Sequence, residues 1–234
     1  MMIEQAPHSL VLHYLSQNAG QLLPGLGHNL QNHVHPLKIQ LELLVQLAAQ
    51  AGPQAQKGIS RLQQTSQKLE ELCSQIEQRS WYTGQEPSPV DLEHFCYWLR
   101  EFWKHNLFFK HQVSLELVTR DISGLSMLLP PYALTMCLEE GLKNALEACR
   151  QEDPEKERQL RLQVKRTEQG LLLELTSPAG LPQGLNPWEP GSSSKEGHLG
   201  LGLYLVQYLC RLQGWSCVLE GENSSSRFAL LLAL

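Results

Sequence analysis

The feature that most constrains the fold is a long apolar stripe in the first quarter of the chain. Apolar residues recur in steps of three and four from Leu23 to Ala48, which places their side chains on one face of an α-helix. A turn at 51–54 contains Gly52 and Pro53, and a second stripe runs from Ile59 to Ile76. The two stripes predict a helical hairpin whose helices each carry one apolar face.

A hairpin of this kind needs a partner for its apolar residues. Two helices cannot enclose so long an apolar seam, so one side of the hairpin would stay in contact with water. A homodimer that forms a four-helix bundle would bury that side. The alternative is that the hairpin packs against the rest of the chain. We favour the dimer, and both arrangements remain open on the sequence.

The pattern changes after residues 83–90, which are rich in turn-forming residues. We therefore predict two domains, residues 1–84 and residues 85–234. The second domain alternates helices and strands, which predicts an α+β fold with a mixed sheet covered by helices. In chain order we expect a helix over 91–110, a strand over 113–118, a helix over 131–149, strands over 159–166 and 171–177, a loop rich in glycine, proline and serine over 178–200, a helix over 201–213 and strands over 216–221 and 227–234.

Composition excludes several classes of protein. A chain of 234 residues with 42% hydrophobic content can bury a core, and a net charge of −5 provides no basic stripe for nucleic acid. The six cysteines are scattered without a CxxC pair, which argues against zinc sites and a disulfide scaffold. No apolar run approaches the ~20 residues of a membrane span, and no signal peptide is visible. We expect a cytoplasmic protein.

Two segments carry residues suited to phosphate chemistry. The segment GLGHNLQNHVHPL (25–37) contains three histidines, each of which could be an idle surface residue or a nucleophile toward a phosphoryl group. In the predicted helix over 131–149, Glu140 and Asn144 lie one turn apart on the same face. A carboxylate and an amide in that arrangement can polarise a hydroxyl and hold Mg²⁺, although the pair alone could equally be ordinary helix surface.

A third segment, SSSKEGHLGLGLYLV (192–206), places glycines around the start of a helix. Glycines at a helix entrance let an anion approach the backbone N–H groups, where the helix dipole favours negative charge. Lys195 and the serines before it add a cation and hydroxyl donors. The alternative is a flexible loop that leads into an ordinary helix.

Together these segments resemble the sensor histidine kinases, whose ATP-binding domains are of the GHKL ATPase type. GQLLPGLGHNLQN (20–32) is similar to their histidine box, and the Glu140/Asn144 helix to their asparagine helix. WEPGSSSKEG (188–197) and GHLGLGLYLV (197–206) are similar to their lid and second glycine box. The resemblance covers nearly the whole chain. It implies a dimeric phosphoacceptor hairpin over 1–84 and a GHKL-type α/β sandwich over 85–234.

The resemblance also implies a role for individual residues. His28 would accept the γ-phosphate of ATP and pass it to an aspartate on the receiver domain of a response regulator. Asn29 and Asn32 would act beside it, and Glu140 would be a catalytic residue beside Asn144. His33 and His35 match no acceptor position and are expected on the surface. The implied ATP-binding residues, of which Asn144 would also hold Mg²⁺, are Lys143, Asn144, Thr176, Gly180, Ser194, Lys195, Gly197, Gly200, Leu201 and Gly202.

The chain departs from the family pattern at two positions. Asn29 follows the histidine where the family has an acidic residue, and an amide cannot accept the proton; general-base assistance is worth ~10²–10⁴-fold. Thr176 stands where the family has an aspartate that binds adenine, and Pro178 replaces the first glycine of that box, of which Gly180 remains. We expect slow autophosphorylation and weakened nucleotide binding.

The leading hypothesis is therefore a two-component histidine kinase core that autophosphorylates on His28. The alternative is a histidine phosphotransferase, phosphatase or scaffold whose ATP site is degenerate. Asn32, one turn after His28, matches a family position that orients water during dephosphorylation, which favours a phosphatase role. A GHKL ATPase without phosphohistidine chemistry is disfavoured because His28 stands at the expected place.

Overall fold

The structure is a computed structural model that describes residues 2–47, 53–151, 158–181, 186–192, 199–222 and 225–233. Its helices are α1 (Met2–Leu47), α2 (Pro53–Tyr82), α3 (Leu92–Trp103), α4 (Leu107–Gln112), α5 (Pro131–Gln151) and α6 (Gly202–Gln213), with a short 3₁₀ turn at Arg120–Ile122. Its strands are β1 (Ser88–Asp91), β2 (Ser114–Val118), β3 (Ser126–Leu129), β4 (Gln159–Thr167), β5 (Gly170–Ser177), β6 (Ser216–Glu222) and β7 (Ser225–Ala233).

Helices α1 and α2 pack against each other, which confirms the predicted helical hairpin. Helix α1 begins at Met2, about twenty residues before the apolar stripe that predicted it, and Pro53 occupies the first position of α2, where its missing N–H has no cost. No helix in the described ranges is long and apolar enough to cross a membrane. Several apolar residues of the hairpin are exposed in the single chain: Leu30, Val34, Ile39, Leu43, Ile59 and Ile76. The dimer that would cover them stays a prediction.

The main sheet has five strands in the order β2-β4-β5-β7-β6. The β2–β4 pair is parallel and the other pairs are antiparallel, which confirms the predicted mixed sheet. A separate antiparallel pair, β1–β3, lies outside it and was not predicted. These two strands have only four residues each, too few to show a period of two clearly.

Helices α5 and α6 cover one face of the sheet. Alternate residues of β5, Leu171, Leu173 and Leu175, are buried in the core, as the alternation of a half-covered strand requires. On α5, every residue from 131 to 142 is buried. Gly141 permits the close approach of α5 to β7, because a Cβ there would lie 2.7 Å from Cδ1 of Phe228. Helix α5 is thus an interior helix, packed against the sheet, α6 and the hairpin.

The single helix predicted over 91–110 is wrong: the segment contains the last residue of β1, all of α3 and the first part of α4. Asp91 caps α3 by accepting a hydrogen bond from the His94 N–H, and Asn106 caps α4 by accepting from the Phe109 N–H. Each is a favoured N-cap residue that starts a new helix. Helix α4 also extends to Gln112, so the predicted strand begins at Ser114. The break between the helices directs His105 inward, where it is 5% exposed.

Candidate functional site

The site is built around Glu140, whose carboxylate is buried between two helices. Glu140 lies on α5 with 2% exposure. Its Oε2 faces the first residue of α6 so closely that a Cβ on Gly202 would stand 2.0 Å away. The first turn of a helix carries partial positive charge, which favours a carboxylate at this position. Glu140 is therefore part of an interior site, which excludes the reading of it as ordinary helix surface.

Lys143 and Asn144 extend this site along the same helix. The Lys143 ammonium lies 3.4 Å from Oε1 of Glu140 and has a largely buried side chain. Asn144 follows Glu140 by one turn and is half-buried. Helix α6 begins beside them with Leu201 as its N-cap residue, and no side chain among the described residues caps that turn. A carboxylate, an ammonium, an amide and a helix N-terminus thus meet in one place.

The loop before α6 approaches another backbone segment closely. Gly200 has a φ of +61°, and a Cβ there would lie 2.7 Å from the carbonyl carbons of Gly191 and Ser192. The N–H of Gly191 donates to the carbonyl of Gly200 across 3.2 Å. Only glycine fits position 200 on both grounds. The predicted lid residues Ser194, Lys195 and Gly197 lie outside the described residues.

Tyr14 of α1 also reaches this site, which the sequence analysis missed. The Tyr14 side chain is 7% exposed, and the Lys143 ammonium lies 5.5 Å from its ring centroid. Its hydroxyl lies beside the backbone of Leu201. Burial, and then the nearby Glu140 carboxylate, raise the pKa of Tyr14, so the phenol stays neutral. The hairpin thus contributes a side chain to a site made otherwise by α5 and α6.

The two residues at the end of β5 face opposite sides of the sheet. Thr176 is exposed, and its hydroxyl donates to the Arg161 carbonyl on β4 across 3.5 Å. Ser177 is 5% exposed, its hydroxyl lies 3.7 Å from the Cys149 sulfur on α5, and it accepts a hydrogen bond from the Ala179 N–H. Ser177, rather than the predicted Thr176, therefore lies on the face covered by α5. Gly180 follows and is half-buried.

The histidine segment lies along the hairpin, near the α3–α4 junction. His28 is within α1, and its side chain lies outside what the structure describes. The Asn29 side-chain amide is 2.9 Å from Nδ1 of His105, and Nε2 of His105 is 2.7 Å from Oε1 of Gln75 on α2. Asn29 thereby joins α1 to α2 through a residue of the second domain. Burial, and then the charge of Lys110, lower the pKa of His105.

The other polar residues of this segment differ in exposure. Asn32 and His35 are exposed, which confirms the surface position predicted for His35. His33 is half-buried, contrary to its predicted place on the surface. Desolvation, and then the charge of Lys68, lower the pKa of His33. The charge of Lys110 on α4 also lowers the pKa of His33.

A buried ion pair connects the hairpin to the helix that carries Glu140. Nη1 and Nη2 of Arg79 on α2 both donate to the carboxylate of Glu139 on α5, Nη2 across 3.0 Å. Arg79 also donates to the Leu15 carbonyl of α1 across 2.9 Å. Burial raises the pKa of Glu139, and the charge of Arg79 opposes that shift. This contact was also missed, since its residues are 60 and 64 positions apart.

The described residues of the site have the chemistry needed to bind a nucleoside triphosphate with its divalent cation. Lys143 offers a cation, Asn144 an amide oxygen, and the start of α6 its backbone N–H groups. At Gly200 the backbone of Gly191 and Ser192 leaves no room for a side chain, and at Gly202 the Glu140 carboxylate does the same. No group of three or more metal-ligating side chains is found in the described ranges.

Comparison with known proteins finds similarity in structure only. No protein-family model and no curated protein sequence matches the chain. The catalytic domain of histidine kinase ThkA, in a nucleotide-free form, matches with a TM-score of 0.54 at 14% identity, over 63% of this chain and 95% of that one. Full-length ShkA in complex with AMPPNP matches with a TM-score of 0.51 at 13% identity, over 98% of this chain and 46% of that one.

These matches establish the fold. The chain has the fold of the histidine kinase catalytic domain, preceded by helices, which confirms the predicted α+β class and the resemblance to a histidine kinase core. At 13–14% identity the similarity does not extend to the function of single residues. The roles of the site residues therefore depend on the geometry described above.

Proposed function

We propose that this protein is a cytoplasmic histidine kinase core of a two-component system. It binds ATP with Mg²⁺, transfers the γ-phosphoryl group to His28 and passes it to an aspartate on the receiver domain of a response regulator. Residues 1–84 form the phosphoacceptor hairpin, which dimerises through the exposed apolar residues of α1 and α2. Residues 85–234 form the ATP-binding domain.

One observation carries the proposal: the carboxylate of Glu140 is buried against the start of α6, with Lys143 and Asn144 on the same helix. Burying a carboxylate is costly unless other groups compensate. Lys143 and the start of α6 supply that compensation, and the same ammonium and helix N–H groups can bind the phosphates of a charged ligand. The glycines at positions 200 and 202 support the same conclusion.

The residues would share the work of phosphoryl transfer, which depends mainly on positioning and charge stabilisation. Lys143 and the N–H groups of α6 would bind phosphate oxygens, and Asn144 would place an oxygen on Mg²⁺, which neutralises phosphate charge. A ring nitrogen of His28 would attack the γ-phosphorus. The bond from that phosphorus to the bridging oxygen would break, ADP would leave, and the ring proton would pass to solvent.

A second candidate function, histidine phosphotransfer without autophosphorylation, is favoured by Asn29. Its amide is bound to His105 and has no carboxylate to accept a proton from His28. Transfer from a phosphorylated aspartate to His28 and back would need no ATP. Asn32 is exposed one turn after His28, where it can meet a receiver domain and orient water for dephosphorylation.

Radiolabelling separates the two functions. The full chain is incubated with γ-labelled ATP and Mg²⁺, and the product is tested for acid-labile, alkali-stable label. His28→Gln is the test variant and His35→Gln the matched control, because His35 is an exposed histidine on the same helix. A kinase gives label in the wild type and in His35→Gln and none in His28→Gln.

Phosphoramidate, a chemical donor to histidine, tests the second function without ATP. If ATP gives no label but phosphoramidate phosphorylates His28, and purified receiver domains from the same genome then take up the phosphoryl group, the protein is a phosphotransferase. If neither donor modifies His28 in the folded protein, both proposals are wrong.

A further inference from the structure

One turn of the hairpin is packed into the second domain. Val11, Tyr14 and Leu15 are 0%, 7% and 2% exposed, and all three belong to the core that contains α5 and α6. They recur at spacings of three and one, so they share a single face of α1. We call residues 11–15 the α1 plug. Its neighbours Leu10 and His13 are exposed, so α1 is buried here on one side only.

The plug occupies groups that the proposed nucleotide site needs. The Tyr14 hydroxyl lies beside the backbone of Leu201 at the entrance to α6. Its ring covers the Lys143 ammonium at 5.5 Å, while Lys143 also faces Glu140. A phosphate oxygen would seek the same helix N-terminus and the same cation. Tyr14 and a bound phosphate therefore compete for them.

A second contact holds the plug in place. Arg79 donates a hydrogen bond to the Leu15 carbonyl across 2.9 Å, and its guanidinium also donates to the buried carboxylate of Glu139. Because Leu15 follows Tyr14 directly, this bond fixes the part of α1 that covers the site. The plug thus lies against α6 on one side and is hydrogen-bonded by Arg79 on the other.

We propose that the α1 plug is an autoinhibitory element: Tyr14 closes the nucleotide site, and ATP binds only when residues 11–15 move away from α6. This inference rests on the proposed nucleotide-binding function and adds its regulation. The measured affinity for ATP is then the intrinsic affinity multiplied by the fraction of molecules with the plug released. Any event that loosens the start of α1 would raise that fraction.

The test measures the dissociation constant of Mg·ATP for the full chain by isothermal titration calorimetry. Tyr14→Phe keeps the ring in the core and removes only the hydroxyl beside the backbone of Leu201, so we expect binding about twofold to tenfold tighter. Tyr14→Ala removes the ring as well and should bind at least roughly tenfold tighter. Leu10→Ala, an exposed position on the same turn, is the control and should match the wild type.

Hydrogen exchange of the peptide that contains Leu201 provides a second readout that needs no nucleotide. Exchange there should be faster in Tyr14→Phe than in the wild type. The inference is overturned if wild type and Tyr14→Phe bind Mg·ATP equally, or if Tyr14→Phe binds more weakly, since Tyr14 would then be structural or a nucleotide contact. Absence of binding in all four proteins is a different result, which overturns the proposed nucleotide function and this inference with it.

Discussion

The side-chain amide of Asn29 donates a hydrogen bond to Nδ1 of His105 across 2.9 Å. This bond requires the imidazole proton on Nε2, from which His105 donates to Oε1 of Gln75 across 2.7 Å. The two bonds form together only with a neutral ring, because the cationic ring has no acceptor for the Asn29 amide. The residue after His28 is therefore an amide with a structural partner, which accounts physically for an asparagine where the histidine kinase pattern has an acid.

Protonation of His105 should weaken the fold. Its pKa in the folded protein is below the usual value of 6.5, so the unfolded chain binds a proton first as the pH falls. The stability is complete above pH 6.5 and declines below it, down to the lowered folded pKa. We expect the free energy of unfolding to fall over this range by more in the wild type than in His105→Gln, because glutamine retains a donor and an acceptor and does not titrate.

Chemical denaturation at several pH values below 7 measures this difference. The comparison between the two proteins removes the contribution of the other histidines, including His33, whose pKa is also lowered. Parallel pH profiles for wild type and His105→Gln would show that protonation of His105 does not affect folding.

Replacement of Asn29 by aspartate should make His105 favour the cationic ring over the neutral ring. A carboxylate accepts where the amide donates, so the pair is satisfied only when Nδ1 carries a proton and the ring is cationic. The pKa of His105 should then be higher in Asn29→Asp than in the wild type, as measured by NMR titration of the ring protons. Asn32→Asp adds the same charge at an exposed position of the same helix. An equal effect of both variants would contradict the direct pairing.

Removal of one partner of the buried pair Arg79–Glu139 should destabilise the fold strongly. Removal of one partner leaves a buried charge without compensation, which costs about 3–5 kcal/mol. We expect Arg79→Ala to lose that amount in urea denaturation, and Arg79→Ala with Glu139→Gln to recover part of it. Arg100→Ala breaks the more exposed pair with Glu101 and should change stability by about 0.5 kcal/mol or less. Equal losses in Arg79→Ala and Arg100→Ala would refute a special role for the buried pair.

The sequence predicts best those elements whose residues are close together in the chain. The hairpin, the main strands, α5 and α6 follow from apolar spacing. The break between α3 and α4 does not, since the apolar residues continue through it and only the cap residues Asp91 and Asn106 mark the new starts. Leu171, Leu173 and Leu175 are alternate residues of β5, and continuing that alternation places Ser177, not Thr176, on the buried face.

Contacts between distant parts of the chain could not be predicted in this way. Tyr14 meets Lys143, and Arg79 meets Glu139, through the packing of the hairpin on α5. Periodicity identifies the face of a helix that is buried, but not the surface it is buried against. The residues that cover the site and those that hold the two domains together were therefore missed, whereas Glu140 and Gly202 were identified through their motifs.

Substitution of Ser177 and of Thr176 tests on which face of β5 the nucleotide binds. If this residue lies on the nucleotide side of β5, Ser177→Ala should weaken Mg·ATP binding by about threefold to tenfold, the value of one neutral hydrogen bond. Thr176→Ala, with its side chain on the opposite face, should bind as the wild type does. Isothermal titration calorimetry of the two variants measures their dissociation constants for Mg·ATP. Weaker binding only in Thr176→Ala would instead support the position expected from the family motif.

A side chain at position 202 should disturb the site through Glu140. The added Cβ of Gly202→Ala would stand 2.0 Å from Oε2 of Glu140, so the buried carboxylate must move, at a cost of roughly 1–3 kcal/mol for overpacking. In a Glu140→Ala background the collision is absent, and the same substitution should cost little or stabilise the helix. The double-mutant cycle, measured by urea denaturation, gives the coupling between the two positions. Equal costs of Gly202→Ala in both backgrounds would mean that Glu140 does not limit the residue at the start of α6, and the site geometry on which the nucleotide proposal depends would be wrong.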